Sequence, residues 1–332
     1  MIHESFLHCR GIGPTRLTRL QQAGIRSWRD VLERPDAVPR GLRKSLVEEC
    51  RSCVDALEKR DIPFFVERLS AADRWRILAE FFEDASYFDI ETSGLDYDAS
   101  ITTIVCWHRG QLHTFVEHEN LDEFLQLLDE VRLLVSFNGA SFDVPRVLDA
   151  FHIPQLPCPH VDLRWLCHHQ GLRGGLKEIA RQVGIHRPRD LQFADGEMAV
   201  IWWSRWIHFQ DRRARDLLVR YCAADVVMSL LLARRICQRQ LVSQESGDSE
   251  LWSQLPGDLL ATSAPPSPQP PSPQPPSPQS PSPQPPARPT PRLTLETSSS
   301  VVPDPSGEVA SAAPFGSASP ARLRARVHTR PA

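Results

Sequence analysis

The pattern of apolar and polar positions changes character twice along the chain. Over residues 1–60 the apolar positions recur every three or four residues. Pro14, Leu17 and Leu20 in "GIGPTRLTRLQQAGI" predict a helix opened by Pro14 and ended by Gly24. "SWRDVLE" predicts a second helix with Ser27 as its cap. Leu42, Leu46, Cys50, Cys53 or Val54, and Leu57 predict a third with one buried face. From residue 70 the pattern alternates between helix and strand. Ser70 is expected to open a helix running to about Glu83. "SYFDIE" (86–91) predicts a strand, and "ITTIVCWH" (101–108) with "QLHTFVE" (111–117) predicts a hairpin around Arg109-Gly110. A helix over 120–131 and a buried strand, "LLVSFN" (133–138), follow. Helices are expected over about 143–151, 163–169, 174–183, 195–209 and 211–239. Three antiparallel strands, a helix, a strand and more helices predict an α/β fold with a mixed central sheet flanked by helices.

Composition divides the chain further. Of the 30 prolines among 332 residues, 20 lie after residue 260, where "PPSPQ" repeats at 265–269, 270–274 and 275–279. Such a stretch is extended and buries too little apolar surface to offset its chain entropy, so a disordered tail is expected over 255–332. The expected organisation is a small all-α module over 1–62, an α/β domain over 70–241, and that tail. No apolar run reaches the roughly 18 residues of a membrane helix. "MIHESFLHCR" lacks the basic and apolar regions of a secretory signal, so a cytoplasmic protein with reduced thiols is expected.

The net charge of −3 conceals a polarity: residues 1–60 carry net +4 and residues 61–260 net −10. Three carboxylate patterns stand out within the acidic region. In "FDIETSGL", Asp89 and Glu91 are two apart on a strand and face the same way. Two carboxylates on an apolar strand are costly unless they bind something. The same Asp-x-Glu spacing recurs at Asp195–Glu197 and Asp248–Glu250 without strand context. In "LLVSFNGASFDVPRV" a buried strand ends in an Asn138-Gly139 turn, and Asp143 opens a helix, either as an ordinary cap or as a third carboxylate at the sheet edge. In "RYCAADVVMSLLLARRI", Tyr221 and Asp225 are four apart on one helical face.

Asp-x-Glu on a first strand, Asn-Gly-x-x-Phe-Asp after a later one and Tyr-x-x-x-Asp on a late helix occur here in that order. The set resembles the DEDD superfamily of RNase H-like 3′–5′ exonucleases in its tyrosine branch. The phrasing of "FDIETSGL", "LVSFNGASFDVPRV", "HVDLRWL" and "GGLKEIARQVGI" is most similar to the YprB-like family, over roughly residues 85–240. The resemblance implies an RNase H-like fold and two divalent ions, Mg²⁺ or Mn²⁺, which the hard carboxylate oxygens suit. It implies that Asp89, Glu91 and Asp225 hold the first ion, that Asp89 bridges to the second, and that Asp143 acts through the second ion's shell. Tyr221 would orient the attacking water, because a phenol with a pKa of about 10 is a poor base. Asp162 is read as a helix cap, and Asn138 as a turn former that also contacts the substrate backbone.

"RGIGPTRLTRLQQAGI" resembles a helix-hairpin-helix unit, in which glycine turns expose backbone N–H groups to phosphate. Gly11, Gly13, Arg16 and Arg19 would be the contacts, and the local +4 charge favours nucleic acid over a merely packing module. Removing residues 1–60 is accordingly expected to weaken binding and leave the catalytic fold. Cys50 and Cys53 have core spacing and are read as buried thiols. Cys158, His160, Cys167, His168 and His169 lack two spaced ligand pairs and are not read as a zinc site. Trp202, Trp203 and Trp206 are read as core and lid packing. The expected function is a metal-dependent 3′–5′ exonuclease acting on single-stranded or 3′-ended DNA, in repair or processing, with a helicase as a possible partner and no membrane. The alternatives are an exoribonuclease and a catalytically silent nucleic-acid tether.

Overall fold

A computed structural model describes residues 1–94, 96, 98–240 and 248–257, with the side chains of residues 239 and 240 excluded. The expected proline-rich tail therefore lies outside the described residues from 258 onward. The described residues fall in one compact unit.

Five helices precede the sheet: α1 (Pro14–Gln22), α2 (Trp28–Glu33), α3 (Arg40–Glu58), α4 (Ile62–Arg68) and α5 (Trp75–Glu80). Pro14 opens α1 as expected, and Gly24 adopts φ +78° just beyond its end. Ser27 caps α2 by accepting the Asp30 N–H, while the Asp30 carboxylate accepts the Ser27 N–H in return. The helix expected from Ser70 starts only at Trp75, because residues 71–74 make a separate turn on the Ser70 carbonyl. The segment before Gly11 is not α-helical: Ile2–Glu4 form a single 3₁₀ turn.

The sheet comprises β1 (Ala85–Thr92), β2 (Ile101–His108), β3 (Gln111–Val116), β4 (Leu133–Ser136) and β5 (His160–Asp162), in the order β3-β2-β1-β4-β5. Strands β1 to β3 are antiparallel, and β4 and β5 run parallel to β1. Helices α6 (Phe124–Glu130) and α7 (Asp143–Ala150) flank β4 in sequence. After β5 come α8 (Leu163–His169), α9 (Leu176–Gln182), α10 (Gly196–Phe209), α11 (Arg212–Gln240) and α12 (Asp248–Ser253). This is the α/β, RNase H-like architecture: a mixed sheet with three antiparallel strands first and helices on both sides.

Strand alternation sorts the core into two layers. Phe88, Ile90, Ile104, Cys106 and Leu134 pack on one face with Phe124, Leu128 and Val147 from α6 and α7. Tyr87, Val105, Val135 and Val161 pack on the other with α11 and the helices around it. That second layer continues without a break through Phe81, Phe65 and Trp28 to Phe6 and Ile2. The N-terminal helices and the sheet thus share one apolar core. Asp89 and Glu91 follow Tyr87 in register, so they point toward α11.

Helix α11 is long enough to cross the sheet, and Leu218, Val226, Val227, Leu230, Leu231 and Ile236 on it are buried. Burying each such side chain is worth about 1.5–3 kcal/mol, which fixes the helix and the polar residues that it carries. Past α11, Leu251 and Leu255 are buried, and Asp248 accepts a hydrogen bond from Arg235 at 2.8 Å. Asp248 and Glu250 therefore lie on a helix. Asp195 caps α10 by accepting the Met198 N–H, with Glu197 in that helix's first turn. No helix among the described residues is long and apolar enough to cross a membrane.

Candidate active site

The acidic site forms where the C-terminal end of β1 meets the start of α7 and the middle of α11. Asp89 and Glu91 pair with Val105 and Thr103 of β2, and the ladder shifts register directly after Glu91. Both side chains are half-buried, so they keep some surface open although protein surrounds them. Cys222 of α11 closes the group: ligand atoms of Asp89, Glu91 and Cys222 all lie within 4.8 Å of one another. The Cys222 thiol donates to the Asp89 carbonyl at 3.3 Å and approaches its Oδ2 at 3.7 Å. Burial and the charge of Asp89 push that thiol up, so it stays a donor.

Asp143 stands at the first position of α7 and is buried, with 4% exposure. Its placement depends on the turn before it. Asn138 takes φ +66°, a left-handed conformation that asparagine tolerates. A Cβ on Gly139 would lie 2.0 Å from Ser136 Oγ and 3.3 Å from Asp143 Oδ2, so only glycine fits there. Asp162 holds the turn from below. Its carboxylate accepts the N–H groups of Asn138 at 2.8 Å, Ala140 at 3.1 Å and Arg164 at 2.9 Å. It therefore caps α8 as expected and also anchors the loop that delivers Asp143. Asn138 Oδ1 is taken up by Ser141 Oγ and by the Arg164 guanidinium. Replacing Asp162 by Ala leaves three backbone donors without their acceptor. We expect a loss of about 2–3 kcal/mol in chemical denaturation; a loss below about 0.5 kcal/mol would mean that the turn stands without this carboxylate.

The electrostatics describe an over-charged pocket. Burial pushes the Asp89 carboxyl up to about 7, against the pull of Arg187 and the Cys222 thiol. Burial and then the charge of Asp89 push Glu91 well above the usual carboxylate range. Asp143 is raised in the same way, by burial and then by Asp89. These carboxyl groups stay raised although Arg187 and Lys177 pull on Asp89 and Glu91, so the pit holds more negative charge than its own cations offset.

Tyr221 and Asp225 lie on the face of α11 turned to the site, both buried at 3% and 8% exposure. Burial, followed by the charge of Glu91, raises the Tyr221 phenol, so it remains a phenol at neutral pH. Trp202 packs edge-on against its ring at 5.9 Å. Asp225 does not join the Asp89–Glu91–Cys222 group directly. Its Oδ1 is paired with the Arg187 guanidinium instead. Asp143 likewise stands beside that group and is coupled to it by charge.

Arg187, Lys177 and Cys222 were not anticipated. Lys177 Nζ donates to the Tyr221 hydroxyl and to the Ala194 carbonyl, each at 2.8 Å. Arg187 lies 4.6 Å from the Tyr221 ring centre and donates to the Ala194 carbonyl at 3.3 Å. Burial and Arg187 lower the Lys177 pKa to about 8. One sequence signal existed for Lys177: it is the single lysine beyond residue 60.

At the other end of the chain Gly11 has φ +81°, and Arg16 donates to its carbonyl at 2.6 Å. Gly13 precedes α1, whose first turn receives no side-chain cap, and Arg16 and Arg19 are exposed.

Residues 86–237 match the family model described as the RNase_H superfamily. That stretch contains all five strands and every acidic residue of the site. Among solved structures, the family B DNA polymerase from the hyperthermophilic archaeon Pyrobaculum calidifontis is similar with a TM-score of 0.39 at 18% identity. The similarity covers 46% of this chain and 24% of that one, so the chain spans about a quarter of the polymerase's length. No curated protein matches the chain.

Proposed function

We propose that this protein is a two-metal-ion 3′–5′ exonuclease acting on DNA, of the tyrosine-bearing DEDD kind and nearest in phrasing to the YprB-like family. The observation that carries the reading is the convergence of mutually repelling carboxyl groups, Asp89, Glu91 and Asp143, with Tyr221 and Asp225 facing them from α11. The pit is a poor place for charge unless cations enter it.

The donor set fits hard divalent cations. Carboxylate oxygens predominate, and the thiol beside them is protonated and turned to Asp89, so a soft-metal site is not favoured. Asp89, Glu91 and Asp225 would hold one ion, and Asp89 with Asp143 a second, of Mg²⁺ or Mn²⁺. Such ions would supply a nucleophile from water at neutral pH and neutralise charge on a leaving oxygen. The protein's own residues do the rest. Tyr221, kept as a phenol and held by Lys177, orients the attacking water by a hydrogen bond and does not abstract its proton. Asp162 and Gly139 fix the Asp143 turn. The choice of DNA rests on the glycine turn and basic α1 of the N-terminal segment, which suit backbone phosphates.

The test is digestion of 5′-labelled single-stranded DNA and RNA by the full chain. Mn²⁺ or Mg²⁺ should support stepwise shortening of the DNA from its 3′ end, and EDTA should stop it. Shortening of RNA alone would move the substrate to RNA. DNA binding with no cleavage of either strand in any divalent cation would leave a tether.

A further inference from the structure

The carboxylates of the site share their pit with two cationic side chains: Arg187, which the nuclease reading does not use, and Lys177, which it uses only to hold Tyr221. Arg187 lies in the segment between α9 and a 3₁₀ turn at Arg189–Leu191, and its side chain is only 6% exposed. It is paired with Asp225, yet its Nε–H is buried without a hydrogen-bond acceptor. A buried donor with no acceptor is costly and marks a place where a partner belongs. Lys177 Nζ uses two hydrogen bonds, to Tyr221 and Ala194, and an ammonium has three donors.

The charges make the same point. Asp89, Glu91, Asp143 and Asp225 bring four negative charges when ionised, and Arg187 with Lys177 brings two positive ones. Two divalent cations would neutralise the carboxylates by themselves. Arg187 would then be uncompensated and Lys177 would keep only the charge of Asp195, in a pit where unbalanced charge is expensive. An anionic strand restores the balance, and a guanidinium matches phosphate oxygens with paired N–H donors.

We propose that Arg187 and Lys177 bind phosphate oxygens of the substrate strand, and that Arg187 gives up Asp225 when divalent cations enter. This inference rests on the nuclease reading above. Arg187 thereby has two partners in succession: it screens Asp225 in the cation-free protein and grips phosphate in the loaded one. Lys177, which does not touch a carboxylate of the site, serves the strand and Tyr221 only.

The experiment separates the two roles. Mn²⁺ binding to the full chain is followed without DNA, by electron paramagnetic resonance of the free ion. Kinetics on 5′-labelled single-stranded DNA are then measured at saturating Mn²⁺. R187Q removes the competitor for Asp225, so it should bind Mn²⁺ several-fold more tightly while its KM for DNA rises about tenfold or more. K177Q should leave Mn²⁺ affinity unchanged and raise KM similarly. R187K, which keeps the charge without the fork, should bind Mn²⁺ like the wild type and show an intermediate KM, and it guards against a folding defect in R187Q. Unchanged or weaker Mn²⁺ binding in folded R187Q overturns the exchange at Asp225, and unchanged KM in both Gln variants overturns the phosphate contacts. Wild-type protein that neither binds Mn²⁺ nor cleaves would instead sink the nuclease reading itself.

Discussion

If the protein is the nuclease proposed above, Asp89→Asn is expected to lower cleavage roughly 10³-fold or more and at the same time to make the metal-free protein more stable. The first half follows from position: Asp89 groups with Glu91 and Cys222 and acts by charge on both Glu91 and Asp143. The second half follows from linkage. The Asp89 carboxyl has a folded pKa raised to about 7, chiefly by burial, above an unfolded value near 3.9. A raised carboxyl favours the fold when protonated. Its contribution is therefore full at low pH and is lost as pH rises from about 4 through 7. At pH 8 in EDTA the ionised group costs on the order of 2–4 kcal/mol, which the isosteric amide does not. Thermal melts in EDTA at pH 5 and pH 8 test this. The wild type should lose stability over that interval, and Asp89→Asn should lose less of it and melt higher at pH 8. In Mn²⁺ the wild type should recover stability and the variant should not. A variant that melts lower than the wild type in EDTA at pH 8 would show that Asp89 holds the structure together and that the pit is no cation site.

The gain in stability and the loss of activity come from one arrangement, and it is the part of the molecule that could be read from the sequence. Period-two alternation in "SYFDIE" placed Asp89 and Glu91 on one face, and that face proved to be the one covered by α11. The i, i+4 spacing of Tyr221 and Asp225 placed both on the covering side of that helix. Strands β1 to β3 are legible because β-branched and aromatic residues alternate over six to eight positions. Strand β5 was not legible, because His160–Asp162 is three residues long and exists only through its pairing with β4. Asp162 could be read as a cap, since its own helix follows directly. Its bonds to Asn138 and Ala140, 24 and 22 residues away, could not. Arg187 and Lys177 escaped for the same reason. Neither has a local pattern, and each acquires meaning only from the residues that tertiary folding sets opposite it.

Removing residues 1–60, which the sequence alone suggested would mainly weaken binding, is expected to destroy the fold, because these helices share the apolar core of the sheet. The helices before β1 are bound into the core of the sheet domain. Trp28 stacks on Phe65 at 6.0 Å with ring planes 2° apart, and Phe65 packs on Phe81 at 6.0 Å. Trp28 Nε1 donates to the Ser5 carbonyl at 2.6 Å, and Arg76, in α5, donates to the Met1 carbonyl at 2.7 Å. Truncation would uncover Ile62, Phe65, Leu69 and Phe81, each now 2% exposed or less. At about 1.5–3 kcal/mol for each large apolar side chain returned to water, the loss is comparable with the whole stability of an ordinary domain. The truncated chain should aggregate, or bind a hydrophobic dye and lose its near-ultraviolet circular dichroism while keeping helix. A soluble truncated protein with a sharp melting transition would mean that the shared core is not needed. The nucleic-acid contacts of the N-terminal segment therefore have to be tested by exchange of exposed charge. Arg16→Glu with Arg19→Glu alters exposed positions of α1 and removes one exposed hydrogen bond, from Arg16 to the Gly11 carbonyl, so the melting temperature should change little. If this helix grips phosphates, DNA affinity should fall, and the slope of log affinity against log salt should flatten by about one for each contact removed. An unchanged slope would restrict these helices to packing against the sheet domain.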